Sequence, residues 1–335
     1  MVTANAATRL IQHYVDNFRR LPWRSPPGAP PPEPYRVWLS EIMLQQTTVA
    51  AVMPRFERFF ARWPTVEALA AARGEDVLQE WAGLGYYARA RNLIACARKV
   101  AARGAFPATA AELRALPGIG DYTAGAIAAI AFGEQSPAVD TNVRRLIARL
   151  DGHERPSSRQ VAERVAGLMA QVSPGDLTQA MMDLGATICT PKAPRCGVCP
   201  LSADCAANSS GAPERFPMRQ ARKPRPLRHG VAWWTEREGC VWLVRRPAKG
   251  LLGGMAALPG GDWTEAARDA PHAIGTVRHV FTHFALDLCV VRRSAPVGEG
   301  WWQPIQTLDE AGLPTLYRRA AELAASASGP RRAAA

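Results

Sequence analysis

Between residues 8 and 206 the apolar positions recur at helical spacing. They fall in short amphipathic segments separated by proline and glycine, with little alternation of period two. Val143, Leu146, Ile147 and Leu150 stand at i, i+3, i+4 and i+7, one face of a helix. Thr109 with Glu112 three residues on is a capping-box pattern, so 109–116 reads as a short capped helix. No internal repeat is visible. The pattern predicts a mainly α region over 1–206.

Residues 207–229 break the pattern. Arg215, Arg219, Arg222, Lys223, Arg225 and Arg228 fall in a proline-containing stretch with no acid from 215 to 228, which predicts an extended basic linker. It would be a solvated tether, a strap along a phosphate backbone, or both. Residues 230–325 then change character. Strand-like content lies over Cys240–Arg245 and 276–291, where Leu286, Leu288 and Val290 alternate with Asp287 and Cys289. A helix over 314–324 closes what reads as an α+β domain of independent size, followed by a tail over 326–335.

Length and composition are compatible with this division. The 335 residues suit two domains, and 47% apolar with 21% charged residues excludes global disorder. The formal net charge of +12 favours an acidic partner, nucleic acid before anionic membrane. The only lysines are Lys99, Lys192, Lys223 and Lys249. No apolar run is long enough to span a bilayer, and the polar start resembles no secretory signal, so the expectation is a cytoplasmic protein.

The cysteines add chemistry. Cys189, Cys196, Cys199 and Cys205 cluster, while Cys96, Cys240 and Cys289 stand alone in apolar contexts and read as small buried hydrophobes. A tight cluster in a cytosolic chain means metal rather than a disulfide framework. One C-x2-C pair with two longer arms suits four thiolates around an iron–sulfur cubane, with structural zinc as the alternative. Lys192 and Arg195 project from the first arm, which two prolines stiffen and which suits phosphate contact.

Two carboxylates stand out. Asp140, in Val139-Asp140-Thr141-Asn142, precedes the amphipathic helix. It reads both as an N-cap and as a carboxylate held at a helix N-terminus. Glu41 lies among Trp38, Leu39, Ile42 and Met43. Either it is desolvated, with a raised pKa, or it lies on an exposed helix face. Two carboxylates in divergent environments are what glycosidic cleavage requires, one to protonate the leaving group and one to stabilise an oxocarbenium-like sugar. The turn Leu116-Pro117-Gly118-Ile119-Gly120 ends one helix and begins another at Asp121 and Tyr122. It reads as a helix-hairpin-helix, spanning 109–135, whose backbone N–H groups take a phosphate, or as an ordinary connection. Residues 83–92 mix glycine, tyrosine and arginine, a composition suited to wedging into a base stack.

Taken in order, these segments resemble the adenine DNA glycosylases of the MutY family, within the helix-hairpin-helix glycosylase superfamily. The resemblance runs over residues 21–24, 37–47, 83–92, 116–126, 139–145, 180–186 and the four-cysteine loop over 189–205. It implies a helical catalytic region carrying a [4Fe-4S] cluster on the four cysteines, and a Nudix-like domain over 230–325 that reads 8-oxoguanine. It implies a bacterial base-excision-repair enzyme, acting at the nucleoid as a monomer. The substrate is double-stranded DNA in which adenine is mispaired with 8-oxoguanine or guanine, and no membrane is involved. By the same resemblance Glu41 is the general acid, Asp140 stabilises or captures the oxocarbenium ion, and Tyr122 and Asn142 support them. Arg24 and Asp183 would read the flipped adenine. Gln46 and Tyr86 would wedge beside the lesion with Thr47 and Leu84, Gly118 and Gly120 would hold phosphate, and Phe281, Thr282 and His283 would contact the lesion.

Departures carry consequences of their own. Related bifunctional enzymes place a lysine where this chain has Tyr122, and no lysine occurs between Lys99 and Lys192. A Schiff-base nucleophile is therefore missing and a monofunctional glycosylase is expected. Thr141 replaces the family's usual glycine, so the turn there must accept a side chain. Thr282 stands for the usual serine and keeps the hydroxyl. The segment 260–271 has only Asp262, Glu265 and Asp269, without the spacing of a magnesium-binding Nudix helix, so the second domain reads as a binding module. The rival readings are a thymine glycosylase acting on G·T mismatches, a damage-binding protein without turnover, and a nucleotide-pool hydrolase.

Overall fold

The structure, a computed structural model, describes residues 5–218, 224–247, 250–266 and 272–328. Two compact units emerge: one formed by 1–72 with 92–221, the other by 73–91 with 222–335.

Helices α1 (Ala6–Asp16), α2 (Pro34–Leu44), α3 (Val49–Arg62) and α4 (Val66–Ala71) open the first unit, α5 (Gly74–Glu80) belongs to the second, and α6 (Ala88–Arg103) follows. The first unit then continues with α7 (Ala110–Leu113), α8 (Asp121–Phe132), α9 (Thr141–Leu150), α10 (Ser158–Met169), α11 (Pro174–Thr187) and α12 (Ala206–Ser209). Thr109 caps α7 by accepting from the Glu112 amide, as the capping pattern predicts, but the helix is a single turn. Helix α8 is the central element. Its Ala/Gly-rich sequence is buried from Thr123 to Ile130 and packs on both α2 and α11. The face Val143, Leu146, Ile147 and Leu150 of α9 is buried as its period predicts, against α1, α10 and α11.

In the hairpin turn the two glycines differ. Gly118 has φ +77°, and a Cβ there would stand 2.7 Å from Asn92 Cβ, so glycine is required. Gly120 has an extended backbone that any residue adopts, and a Cβ there would meet nothing. Gly120 is the N-cap of α8, a position that favours glycine among other residues.

The second unit adds β1 (Leu227–Trp234), β2 (Glu236–Arg237), β3 (Cys240–Arg245), β4 (Ala256–Ala257), β5 (Ala273–Val280), β6 (Ala285–Arg292), β7 (Gly300–Pro304) and α13 (Thr315–Ser328). One sheet runs β1-β6-β5, with β1 parallel to β6, and the other joins β2, β3, β4 and β7. Leu286, Leu288 and Val290 point into the core under α13, as their alternation predicts. The strand content over 276–291 is two strands, with Phe281-Thr282-His283 in the turn between them. That turn closes through the Phe281 amide donating to the Phe284 carbonyl at 2.8 Å.

The boundary regions differ from the sequence division. Residues 207–218 are not an extended tether: the chain makes α12 and a further helical turn at Pro213–Arg215. Arg215 pairs with Glu154 at 2.7 Å and the Met218 amide donates to the Glu154 carbonyl. The partner acid lies some 60 positions away (61 for Arg215), so local composition could not show it. Arg219, Arg222 and Lys223 lie outside the described residues. Arg225 and Arg228 are spent locally, on the Thr282 carbonyl and over the Phe284 ring, and the domain's first strand begins at Leu227. Residues 73–91 group with the second unit through Glu75–Arg245 at 3.2 Å and Arg91 donating to the Gly253 carbonyl at 2.6 Å.

Candidate active site

Five helices of the first unit, α2, α3, α8, α9 and α11, and the non-helical stretch 19–24 bring one cavity together. It measures about 190 Å³ and is lined by Glu41, Tyr122, Asp140, Asn142, Arg24, Asp183 and Thr47, which the sequence had singled out. Arg19, Trp23, Gln179 and Met182 line it as well.

Glu41 sits in α2, a helix with Pro34 in its first turn and buried on nearly every side, from Tyr35 to Met43. No exposed face exists for it to occupy, and it is 6% exposed. Burial drives its pKa from the usual carboxylate range up to about 7, partly offset by the Tyr122 hydroxyl and by Arg24, while Asp140 pushes the same way as burial. The Tyr122 phenol is pushed up in turn, by burial and then by Glu41 and Asp140, so it is a fixed neutral donor.

Asp140 caps α9. Its backbone is extended at φ −92°, ψ −173°, and its side chain accepts from the Val143 amide at 2.7 Å and from Asn142 Nδ2 at 2.9 Å. Both readings of this residue hold together: the capping bonds fix the carboxylate at the cavity wall. Thr141 is the first helical residue and needs no glycine.

Arg24 and Asp183 form a two-pronged pair, at 2.6 and 3.0 Å. Arg19 adds a third bond to Asp183 at 2.9 Å. Sequence reasoning missed Arg19, which lies in a non-helical stretch without period. It also missed Gln179 and Met182, although Gln179, Met182, Asp183 and Ala186 follow i, i+3, i+4, i+7 on α11 and all line the cavity. That spacing was a usable signal.

Two buried arginines were missed as well. Arg145 donates to Asn142 Oδ1 at 2.9 Å, to the Gly185 carbonyl at 2.7 Å and to the Cys189 carbonyl at 2.8 Å. A hydrogen-bonded chain thus joins Asp140 to the start of the cysteine loop. Arg149 donates to Cys189 Sγ at 3.3 Å and to the Thr190 carbonyl. Gly185 admits Asn142: a Cβ at Gly185 would lie 2.7 Å from Asn142 Cβ. Gly185→Ala is therefore expected to cost about 1–3 kcal/mol and to loosen Asn142 from Asp140. Denaturant unfolding measures the first effect, and the catalytic rate the second.

Cys189, Cys196, Cys199 and Cys205 all line one further cavity, walled by Leu146, Leu150, Ile188 and Leu201. Among the described residues no group of three or more His, Cys, Asp or Glu is placed to hold a metal ion directly. The thiols surround a space instead of meeting at a point, which fits a multi-atom cluster better than zinc. Burial first, and then the neighbouring cysteines, hold Cys199 at about 11, so bound cationic iron would be the means of keeping these sulfurs ionised. The N–H donor from Arg149 on Cys189 Sγ is the kind of contact that tunes such a cluster. Lys192 is exposed on the loop, and Arg195, also exposed, donates to the Thr187 carbonyl at 2.8 Å.

The wedge candidates share one feature within their separate units. Gln46 has φ +57° and Tyr86 φ +48°, a left-handed backbone that side chains adopt at a cost of roughly 1–3 kcal/mol. Tyr86 is 48% exposed, whereas Leu84 is buried. Buried Arg89 braces this loop, donating to the Leu84 and Gly85 carbonyls at 2.8 and 3.3 Å with its guanidinium over the Trp81 and Tyr86 rings. The Tyr86 hydroxyl lies 3.1 Å from Thr282 Oγ1. Thr282 and His283 are exposed, and Phe281 packs against Trp263 and Phe284.

Residues 39–171 match the HhH-GPD superfamily of base excision DNA repair proteins, and 230–323 match the NUDIX domain. The fold and the site thus define a base-excision DNA repair protein of the helix-hairpin-helix class. A solved thermostable thymine-DNA glycosylase is similar, with TM-score 0.56 and 26% identity over 61% of this chain and 95% of that one. So is an endonuclease III–DNA covalent intermediate, with TM-score 0.51 and 25% identity over 61% and 94%. The human adenine DNA glycosylase is 35% identical over 83% of this chain and 64% of its own length. That of Mycolicibacterium smegmatis is 39% identical over 64% and 73%, and that of Buchnera aphidicola (from Schizaphis graminum) 28% over 93% and 96%. The chain belongs to the adenine DNA glycosylase family. It spans just under two thirds of the human relative's length. No helix among the described residues is long and apolar enough to cross a membrane.

Proposed function

We propose that this chain is a monofunctional glycosylase that removes adenine mispaired with 8-oxoguanine or guanine from duplex DNA, leaving an abasic site. One observation carries the reading: a buried carboxyl at about pKa 7, Glu41, shares a cavity with the capped carboxylate Asp140 and the Arg24–Asp183 pair. An adenine swung out of the duplex enters with its polar edge towards Arg24 and Asp183 and its sugar towards Asp140. Glu41 gives its proton to N7, and the bond from N9 to C1′ breaks as the base leaves neutral. Asp140 stabilises the oxocarbenium ion, by charge or by a transient ester, until water adds at C1′ and the water proton returns to a carboxylate. Tyr122 and Asn142 hold the two carboxylates in place. Among the described residues no lysine lines the cavity, which supports hydrolysis without a covalent amine intermediate.

The four cysteines would hold a [4Fe-4S] cluster in this reading, and the group would supply a rigid cross-link for the loop carrying Lys192 and Arg195. Gly118 and Gly120 present the N-terminus of α8 to a phosphate, where Gly120 leaves room for it. Gln46 and Tyr86, each within its own unit, act as wedge residues, with Thr47 beside the one and Leu84 beside the other, and Phe281, Thr282 and His283 read 8-oxoguanine. The enzyme acts as a monomer in a bacterial cytoplasm, at the nucleoid.

Purified protein given a duplex with adenine opposite 8-oxoguanine, followed by alkali, is expected to cut the adenine strand; cleavage no greater than that of Glu41→Gln ends the reading. A parallel G·T duplex separates it from a thymine glycosylase. Thr282→Val is expected to reduce the preference for 8-oxoguanine over guanine by about tenfold, the worth of roughly one hydrogen bond. Single-turnover rates on the two duplexes measure it, and an unchanged ratio removes Thr282 from lesion reading.

A further inference from the structure

A second cavity, of about 220 Å³, lies behind the first in the same unit. The two share Arg19 and Asp183 in their linings, and these residues pair at 2.9 Å. The ion pair is thus the partition between them. Arg19 is its movable half: its side chain is 32% exposed, against 13% for Asp183, which Arg24 also holds. In the adenine reading it is the polar edge of the base, and not the sugar, that faces Asp183, so the partition lies beyond the base. The far side is mixed: Ala180, Leu184 and Ile188 line it together with Asn17, Thr187 and Arg195. At about 30 Å³ per water the space would take roughly seven waters, ample for a purine ring.

We propose that this second cavity is a transit site for the excised purine base, reached when Arg19 swings aside. The inference rests on the adenine reading above. Its argument is geometric. The base enters the first cavity attached to DNA, and after cleavage the abasic duplex still covers the mouth through which it came. The partition is the wall not occupied by the reacting groups or the sugar. A free base has both donors and acceptors on its edge, and the second cavity offers both: the Asn17 and Thr187 side-chain oxygens accept, and the Arg195 guanidinium donates.

The test uses the intact protein bound to a duplex carrying a tetrahydrofuran abasic analogue opposite 8-oxoguanine, with radiolabelled adenine as probe. The complex is expected to bind and release adenine without DNA dissociating. Thr187→Trp, which fills the second cavity from an exposed position, is expected to slow this exchange by about tenfold or more. Its single-turnover excision rate stays unchanged. Asn17→Trp on the opposite rim carries the same expectation and covers a failure of the first variant to fold. A product complex that takes up no adenine, or filled variants that exchange it at the wild-type rate, overturns the proposal. Loss of the adenine reading itself would show differently, as no abasic product from wild-type protein.

Discussion

Glu41→Gln is expected to lower single-turnover adenine excision by about 10²–10⁴-fold, the range for losing a positioned general acid. The substitution keeps size and polarity at a fully enclosed site, so the loss reports the proton and not the packing. Wild-type activity should fall as pH rises through about 7, because only protonated Glu41 can donate and its pKa stands there. The residual rate of the variant should lack that limb. A variant whose rate keeps the same fall above pH 7 would falsify the assignment of Glu41 as the acid.

The same burial has a cost in stability with a definite sign. The folded state holds the Glu41 proton up to about pH 7, the unfolded chain only to about 4.5. Between those values the native state binds more protons, so stability declines as pH rises through the window. The displacement corresponds to roughly 3 kcal/mol once the group is ionised. Glutamine carries no such penalty. Glu41→Gln is therefore expected to melt above wild type at pH 8.5, with the gap closing towards pH 5. Opposite ordering at pH 8.5 would mean that Glu41 is solvated. A catalytic acid that weakens its own fold at working pH is a stability–activity trade-off in a single residue.

What the sequence shows of this molecule divides along a physical line. Local periodicity revealed α9, β3 and the alternation of β6, because each buries one regular face against a core. The motif order singled out Glu41, Tyr122, Asp140, Asn142, Arg24, Asp183 and Thr47, which line the cavity, but not Arg19, Gln179 or Met182. Long-range pairing was invisible. Arg215 looked like a free linker cation until Glu154 was placed beside it, and nothing local marked Arg145 and Arg149. Those two are buried, because carbonyls of the cysteine loop and the end of α11 turn towards them. Glu41 was ambiguous for the same reason. A helix buried on all sides has no amphipathic signature, so the sequence could not say which side of Glu41 faced water. Gly120 is the converse case: it caps α8 without a side-chain bond, and the turn itself demands glycine only at Gly118.

Asp140→Asn is expected to cost about 10²–10³-fold in rate, the scale for removing one fixed electrostatic partner of a charged transition state. Asparagine caps helices about as well as aspartate, so α9 should persist and the melting point should move little. The local bonding changes more than the cap. Asp140 accepts from both the Val143 amide and Asn142 Nδ2, on different oxygens. An amide offers one oxygen, so one of these donors loses its acceptor, at about 1 kcal/mol. If the cap keeps the oxygen, Asn142 is released, and with it the link through Arg145 to the cysteine loop. The pH profile separates this variant from Glu41→Gln. With Glu41 intact, the remaining activity should still fall as pH rises, with the limb moved below that of wild type because Asp140 no longer helps to raise Glu41. The two variants thus remove different halves of one reaction: one erases the pH limb, the other lowers the rate beneath it. A DNA-binding measurement at constant salt should show both near wild type, since neither carboxylate is proposed to touch phosphate. Near-wild-type turnover by Asp140→Asn would leave the residue as a helix cap alone.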